Sequence, residues 1–272
     1  MRIRMTVVMV ALFATLAFSS VLRAQSGPAS AGAKDKKPGL MSGGIPDLSG
    51  LWDPDFRGPE AVRLNSWDSA DPFAQHPEQA PMTPWAAAKF KEARPPFGAR
   101  QTFDNTNDPV QRFCDPPGIP RIYMYPWTIK FIQTPTDVYI LYEYTKVWRD
   151  VAMNSEHPKD PDITWMGDAV GKYEGDTFVV DTVGLSDKTW LDQAGHPHRD
   201  ALHVIERFRR VDQGKLELSV TIDDPKAYTR TFSATKYYNL SPGPVGETLC
   251  AYSEMKEFQE KVVDKTQTPP RK

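Results

Sequence analysis

The chain lacks the glycine-rich motifs that bind nucleotides or carry a nucleophilic serine. No GxxxxGK[ST] or GxGxxG sequence occurs, which argues against nucleotide chemistry. GxSxG is also absent; Gly184-Leu-Ser186-Asp-Lys188 comes nearest and differs at its last position. A hydrolase built on a nucleophile elbow is therefore not expected.

Basic residues are too dispersed to form a nucleic-acid site. The formal net charge is −2, and the densest basic cluster is Arg207, Arg209 and Arg210. Residues at alternate positions of a strand share one face, so this cluster predicts a solvated surface rather than a phosphate track. We expect no nucleic-acid partner.

Long apolar runs are missing, apart from a short one near the amino terminus. Met5 to Phe18 is apolar, follows Arg2 and Arg4, and precedes a small-residue stretch that ends at Ala24. This is the pattern of a signal peptide, since a membrane span needs roughly 20 apolar residues. Residues 1–24 are therefore predicted to be removed on export to the periplasm or medium. An uncleaved anchor is the alternative, because Leu22 is large for its position.

Export affects both the charge and the chemistry of the cysteines. Loss of Arg2, Arg4 and Arg23 moves the net charge to −5 and leaves no predicted membrane span. Cys114 and Cys250 are the two cysteines, and no CxxC motif occurs. An oxidising compartment favours a disulfide between them, with two buried free thiols as the alternative.

The chain divides into a linker, one domain and a tail. Residues 25–44 have no apolar periodicity and predict a disordered linker, and 261–272 form a polar tail. One domain is expected over 45–260. Its segment 54–120 is rich in proline and predicted to be mostly irregular, either a lid or a structural wrap. One short helix is expected there, capped by Thr83, started by Pro84 and ended by Pro95-Pro96.

Beyond residue 120 the pattern changes to a period of two, which is typical of strands. Leu216, Leu218, Val220 and Ile222 alternate with polar residues. Short turns separate such runs, which favours an antiparallel meander of about eight strands closed into a barrel. The predicted strands are Trp127–Thr134, Val138–Trp148, Thr177–Val183, Leu202–Val211, Leu216–Ile222, Tyr228–Tyr238 and a last strand Thr248–Tyr252.

Several motifs resemble those of a family of exported bacterial proteins of unassigned function. They are Pro46-Asp-Leu-Ser-Gly-Leu-Trp, His157-Pro-Lys-Asp-Pro-Asp with Trp165-Met-Gly, Glu174-Gly-Asp-Thr with Val179-Val-Asp-Thr, and Asp187-Lys-Thr-Trp-Leu-Asp with Gly195-His-Pro-His. The resemblance covers nearly all of the mature chain. It implies a single lipocalin-like antiparallel β-barrel and no particular reaction.

Four of the five histidines lie between His157 and Arg207, which marks this stretch as the candidate site. His196, His198 and His203 are predicted to move protons, with Asp187, Asp192 and Glu206 to orient or charge them. The carboxylates have structural alternatives: Asp187 and Asp192 as turn caps, and Glu206 as an arginine partner. No cofactor is predicted; zinc or copper on His196, His198 and His203, with His157 or Asp192, is the alternative.

Aromatic residues suggest how a ligand would be held. Tyr142, Tyr144 and Trp148 are predicted to share one strand face with Ile140, as a wall inside the barrel. Ordinary core packing is the alternative. Trp165, Trp190 and His157 complete the predicted substrate-binding set.

The residues thus predict an exported enzyme that acts on a small apolar or aromatic molecule by acid–base chemistry, of the lyase or isomerase type. A non-catalytic carrier or sensor is the first alternative, and a periplasmic metal-binding protein the second. Histidines that point into the same cavity as Tyr142 and Tyr144 would favour the enzyme, whereas outward histidines would favour the carrier.

Overall fold

Nine β-strands form a closed barrel in the computed structural model, which describes residues 44–55, 66–68, 78–96, 106–258 and 261. The predicted signal peptide 1–24, the predicted tail from 262 on and all of the predicted linker 25–44 except Gly44 lie outside these residues. The strands are β1 (Gly50–Pro54), β2 (Ile129–Gln133), β3 (Asp137–Tyr142), β4 (Trp148–Met153), β5 (Asp168–Glu174), β6 (Thr177–Val183), β7 (His203–Arg210), β8 (Lys215–Asp223) and β9 (Phe232–Ser241).

Strand order around the barrel follows the chain, and β1 closes it by pairing with both β2 and β9. Every pair is antiparallel except β4 with β5, which runs parallel from Ala152 and Val170 onward. The prediction of a purely antiparallel sheet was therefore wrong. The segment 154–167 between these strands is long enough to return the chain to the same end, as a parallel pair requires.

The period-two pattern correctly located most strands. In β8 every second residue is buried, from Leu216 to Ile222, as predicted. The interior positions are filled by large side chains, including Trp52, Phe131, Phe178 and Phe208. The barrel interior is thus largely a packed core.

The predicted strand Val138–Trp148 is two strands with a turn between them. β3 ends at Tyr142 and β4 begins at Trp148, while Thr145 and Lys146 have positive φ angles of 59° and 53°. The turn changes which face each later residue occupies. The prediction that Ile140, Tyr142, Tyr144 and Trp148 share one face was therefore wrong.

Among the described residues, three short α-helices accompany the barrel: α1 (Pro84–Glu92), α2 (Pro109–Phe113) and α3 (Tyr252–Phe258). α1 begins as predicted, because the Thr83 side chain accepts a hydrogen bond from the Ala86 N–H. The predicted last strand Thr248–Tyr252 was wrong. Thr248 makes a single bridge to Tyr144, and the chain then enters α3.

A disulfide joins Cys114 to Cys250, as predicted. Cys114 follows α2, and Cys250 precedes α3. The described parts of the proline-rich segment also contact the barrel. Trp67 packs edge-on against Phe232 at 5.3 Å, and Met82 bridges to Tyr228.

Candidate functional site

The predicted site residues occupy five separate places. Glu206 and Tyr142 lie inside the barrel; Asp192 and His196 lie in a buried loop; Asp187, Trp190 and His198 line a cleft beside α1. His157 and His203 lie on the outer face of the barrel, and Tyr144 joins a separate aromatic cluster. None of the predicted histidines faces the barrel interior together with Tyr142.

Glu206 forms an interior ion pair with Arg149, with 2.7 Å between Oε1 and Nη1. Thr182 Oγ1 donates to Glu206 Oε2 at 3.0 Å and accepts from Arg149 Nη2 at 2.7 Å. Tyr123 donates its hydroxyl to Glu206 and lies 2.8 Å from the Tyr142 hydroxyl. Burial raises the pKa of Tyr142 to about 12, and the nearby Arg149 guanidinium acts in the opposite direction. The charges of Glu206 and Arg149 are thus paired with each other, and the network faces the core of the barrel.

Lys236 is a second charged group in the interior. Its Nζ donates to the carbonyl oxygens of Tyr123 at 2.6 Å and Tyr125 at 3.1 Å. Burial lowers the pKa of the Lys236 ammonium to about 7, because the interior disfavours the charged form. Both carbonyls belong to the chain that leads into β2, so Lys236 ties that segment to β9.

Asp192 holds together the loop that connects β6 to β7. Its Oδ1 accepts from the backbone N–H groups of Ala194, Gly195 and His196 at 3.0–3.2 Å. Its Oδ2 accepts hydrogen bonds from His196 Nδ1 at 2.7 Å, from Ser66 Oγ at 3.1 Å and from the Trp67 N–H at 2.8 Å. Burial would raise the pKa of Asp192, but His196 and these donors hold it well below its usual value.

His196 completes this buried arrangement. Its ring is stacked on Phe90 of α1 at 4.2 Å, and its Nε2 lies 2.8 Å from Gln79 Nε2. The side chain is fully buried. The geometry makes Asp192 and His196 a fully buried structural connection between the loop, α1 and the amino-terminal segment.

His198 is also enclosed, with both ring nitrogens near polar groups. Nε2 lies 2.7 Å from Thr189 Oγ1, and Nδ1 lies 3.3 Å from the Arg199 carbonyl oxygen. Burial lowers the pKa of His198, which favours the neutral imidazole. His198 nevertheless lines a cleft of about 260 Å³ between α1 and the loop, together with Asp187 and Trp190. We call it the tryptophan cleft, because Trp85 forms its other side.

The outer face of β5, β6 and β7 carries a line of alternating imidazoles and carboxylates. Asp168 Oδ1 lies 2.5 Å from His157 Nδ1, and His157 Nε2 lies 3.5 Å from Asp181 Oδ1. His203 Nε2 contacts the same Asp181 oxygen. All four side chains are partly exposed. His203 is therefore hydrogen-bonded to Asp181 at the protein surface, and His157 Nε2 lies near the same carboxylate oxygen without a hydrogen bond to it.

Asp181 and His157 lie at one end of a groove of about 740 Å³, the outer groove. Its floor contains Val170, Val179 and Ile205, which alternate with interior residues along β5, β6 and β7. The opposite end carries Glu174, paired with Arg207 at 2.9 Å and Lys172 at 3.0 Å. Pockets for small ligands measure roughly 300–1,000 Å³. This groove lies in that range and combines an apolar floor with polar and charged side chains around it.

The remaining predicted aromatic residues lie apart from the outer groove. Tyr144 stacks on Tyr125 at 4.7 Å, outside the main core, and Trp148 is 60% exposed beside Tyr139. Trp165 is half-buried. Tyr142, in contrast, faces the barrel interior.

Sequence reasoning missed Asp168 and Asp181, which complete the outer-face line. Asp181 lies inside the quoted Val179-Val-Asp-Thr motif, and alternation with the buried Val180 and Thr182 places it on the outer face. Its neighbours across β7 depend on the pairing of Asp181 with Ile205, which brings His203 close. Alternation could have indicated the face, but the register could not be derived from one strand.

Among the residues that the structure describes, no three histidine, cysteine or carboxylate side chains are arranged to hold a metal ion. No described helix has the length and apolar character to cross a membrane.

The chain shows little likeness to known proteins. No protein-family model matches it, and no curated protein is detectably similar in sequence. A solved structure described as "REP1-NXSQ fatty acid transporter" aligns with 43% of this chain and 72% of its own, at 14% identity and a TM-score of 0.28. The barrel itself follows from the strand pairing.

Proposed function

We propose that the protein is an exported enzyme that binds a small apolar molecule in the outer groove and moves a proton on it, with Asp181 as the catalytic residue. The observation that carries this proposal is Asp181 at the end of a groove with an apolar floor, where His203 is hydrogen-bonded to Asp181 Oδ1 and His157 Nε2 lies 3.5 Å from the same oxygen. The proposal also includes the lipocalin-like type of the barrel and the resemblance to exported bacterial proteins.

The hydrogen bonds suggest a division of roles. Both imidazole contacts reach Oδ1 of Asp181, and Asp181 lines the groove, so its second oxygen is the one available to a substrate. His203 donates its Nε2 proton to Asp181, which orients the carboxylate. His157 donates its Nδ1 proton to Asp168, so in the neutral ring Nε2 carries a lone pair.

A balanced proton transfer follows from these roles. Asp181 takes a proton from a carbon that lies between a carbonyl group and a C=C bond; the C–H bond breaks, and its electron pair forms a dienolate. Return of the proton to the far carbon of the dienolate moves the C=C bond and completes an isomerisation with no oxidant. His157 can accept the proton from Asp181 through Nε2 during the exchange. Such positioned acid–base groups contribute roughly 10²–10⁴-fold in rate.

The proposed site contains some of the residues that the sequence predicted for it. His203 stays as a proposed positioning residue, and His157 moves from substrate binding to proton relay. Asp192, His196, His198 and Glu206 are buried, and the proposal gives them structural roles. The outward orientation of His157 and His203 is the feature that favours the non-catalytic carrier, which would use the same groove floor without proton transfer. The position of Asp181 beside both imidazoles is the feature that favours the enzyme.

The test measures deuterium incorporation into enolisable apolar ketones, incubated with the mature protein in D₂O and followed by NMR. We expect exchange with at least one ketone, reduced at least 100-fold in D181N. D150N is the matched control, because Asp150 is an exposed carboxylate on β4, and it should leave the rate unchanged.

The histidines need a readout beyond rate. We expect H157Q to shift the pH profile of exchange, because it removes the lone pair that can receive the proton. Binding of the ketones without exchange above the buffer rate would overturn the enzyme and support the carrier. Equal rates in D181N and wild type would place the chemistry elsewhere.

A further inference from the structure

The tryptophan cleft has two indole walls and lies outside the proposed catalytic groove. Trp85 belongs to α1, and Trp190 belongs to the loop 187–199. None of the residues that line the outer groove also lines this cleft. With about 260 Å³, it suits a ligand with one ring rather than an extended chain.

The loop wall of the cleft is held in place before any ligand arrives. Asp192 accepts three backbone N–H groups of the loop, and Thr189 Oγ1 contacts His198. At Gly195, φ is +98° and an added Cβ would lie 2.4 Å from the Ala93 Cβ, so glycine allows the loop to approach α1. A preorganised wall lowers the entropy lost on binding.

Cationic groups stand beside the indoles. The Arg199 guanidinium lies 4.3 Å from the centre of the Trp85 ring, which fixes its plane beside the cleft. Within the part of the chain that the structure describes, neither Arg199 nor Lys188 has a carboxylate within ion-pair distance, whereas Lys89 pairs with Glu92 at 2.8 Å. Asp187 adds one negative charge to the same rim.

We infer that the tryptophan cleft binds a small aromatic carboxylate. Its ring lies against the indole of Trp190 and beside that of Trp85, whose face is covered by Arg199, and its carboxylate accepts hydrogen bonds from Arg199 and from Lys188. A planar guanidinium matches a carboxylate in a two-bond geometry, and indole faces favour flat rings. Asp187 disfavours a second negative charge on the ligand, so one carboxylate is selected over a phosphate dianion.

The test is a titration of the mature ¹⁵N-labelled protein with benzoate, and separately with 2-naphthoate, followed through the indole N–H resonances. W85F and W190F assign the two relevant signals. We expect at least one of the two acids to shift both indole signals. The matching neutral alcohol, benzyl alcohol or 2-naphthalenemethanol, should bind at least tenfold more weakly.

Two arginine variants separate a specific site from general charge attraction. R199Q should weaken binding of the acid at least tenfold, and it should keep the backbone spectrum because the side chain is exposed. R112Q is the matched control, since Arg112 also lies over an aromatic ring, that of Phe113, at 5.2 Å. It should bind the acid as the wild type does.

Several outcomes would overturn the inference: no indole shift with either acid, equal binding of acid and alcohol, or equal losses in R199Q and R112Q. The result is independent of the proposed enzyme. D181N should bind the acid normally, so failure of the deuterium exchange test would leave this site intact, and the reverse also holds.

Discussion

Lys236 is a buried residue that contributes to the pH dependence of the free energy of unfolding. Its ammonium lies inside the barrel, and burial lowers its pKa to about 7. In the unfolded chain the same group keeps its proton up to about pH 10.5. Between these values the unfolded state binds more protons than the folded state, so stability rises with pH.

We therefore predict that the free energy of unfolding of the wild type increases from pH 7 to pH 9, by on the order of 1 kcal/mol per pH unit. K236M should lose this slope. Urea unfolding at several pH values measures it, below the range in which tyrosines ionise. K130M on β2 is the control and should keep the slope. A wild-type stability that is flat over this range would contradict the lowered pKa.

The order of the loop 187–199 depends on one side chain, that of Asp192. It contains no strand or helix, yet Leu191, Asp192 and His196 are fully buried. Asp192 substitutes for a regular hydrogen-bond ladder, because its carboxylate accepts three backbone N–H groups of the loop. Buried N–H groups without an acceptor are costly, so the loop depends on this residue.

D192A is expected to lower the free energy of unfolding by about 3 kcal/mol, because it leaves buried donors without a partner. Hydrogen exchange should accelerate at Ala194, Gly195 and His196, while the β8 amides stay protected. D187A, an exposed change in the same loop, should alter neither quantity. Unchanged exchange at Gly195 in D192A would show that the loop is held by other contacts.

At the scale of the whole molecule, the disulfide connects distant parts of the chain. Cys114 and Cys250 are separated by 136 residues, and the loop that they close contains strands β2 to β9. Closing a loop of this length removes much entropy from the unfolded chain. Neither cysteine lies in a strand of the barrel.

We predict that C114S/C250S lowers the free energy of unfolding by about 4–5 kcal/mol, in the chain-entropy model. The far-UV circular dichroism of the folded barrel should remain. Urea unfolding of the variant and of the wild type, oxidised and reduced, measures the difference. Equal stabilities for oxidised and reduced wild type would contradict the prediction, and collapse of the β signal would show that the barrel itself needs the bond.

The sequence by itself determined the local features. These are the alternating pattern of β6 and β8, the capped helix α1 and the presence of two cysteines that can pair. These follow from backbone preferences and from the period of side-chain burial, which act over a few residues. The two strands merged as Val138–Trp148 were misjudged because the left-handed turn at Thr145 and Lys146 contains no glycine.

Only the tertiary structure decided which polar residues meet. His157 and His203 are 46 positions apart, and they share Asp181 because the parallel β4–β5 crossover and the β6–β7 register place them on one outer face. The same folding buries Glu206 against Arg149 and encloses His196. Strand register and loop closure depend on contacts between distant residues, which no local pattern of side chains specifies.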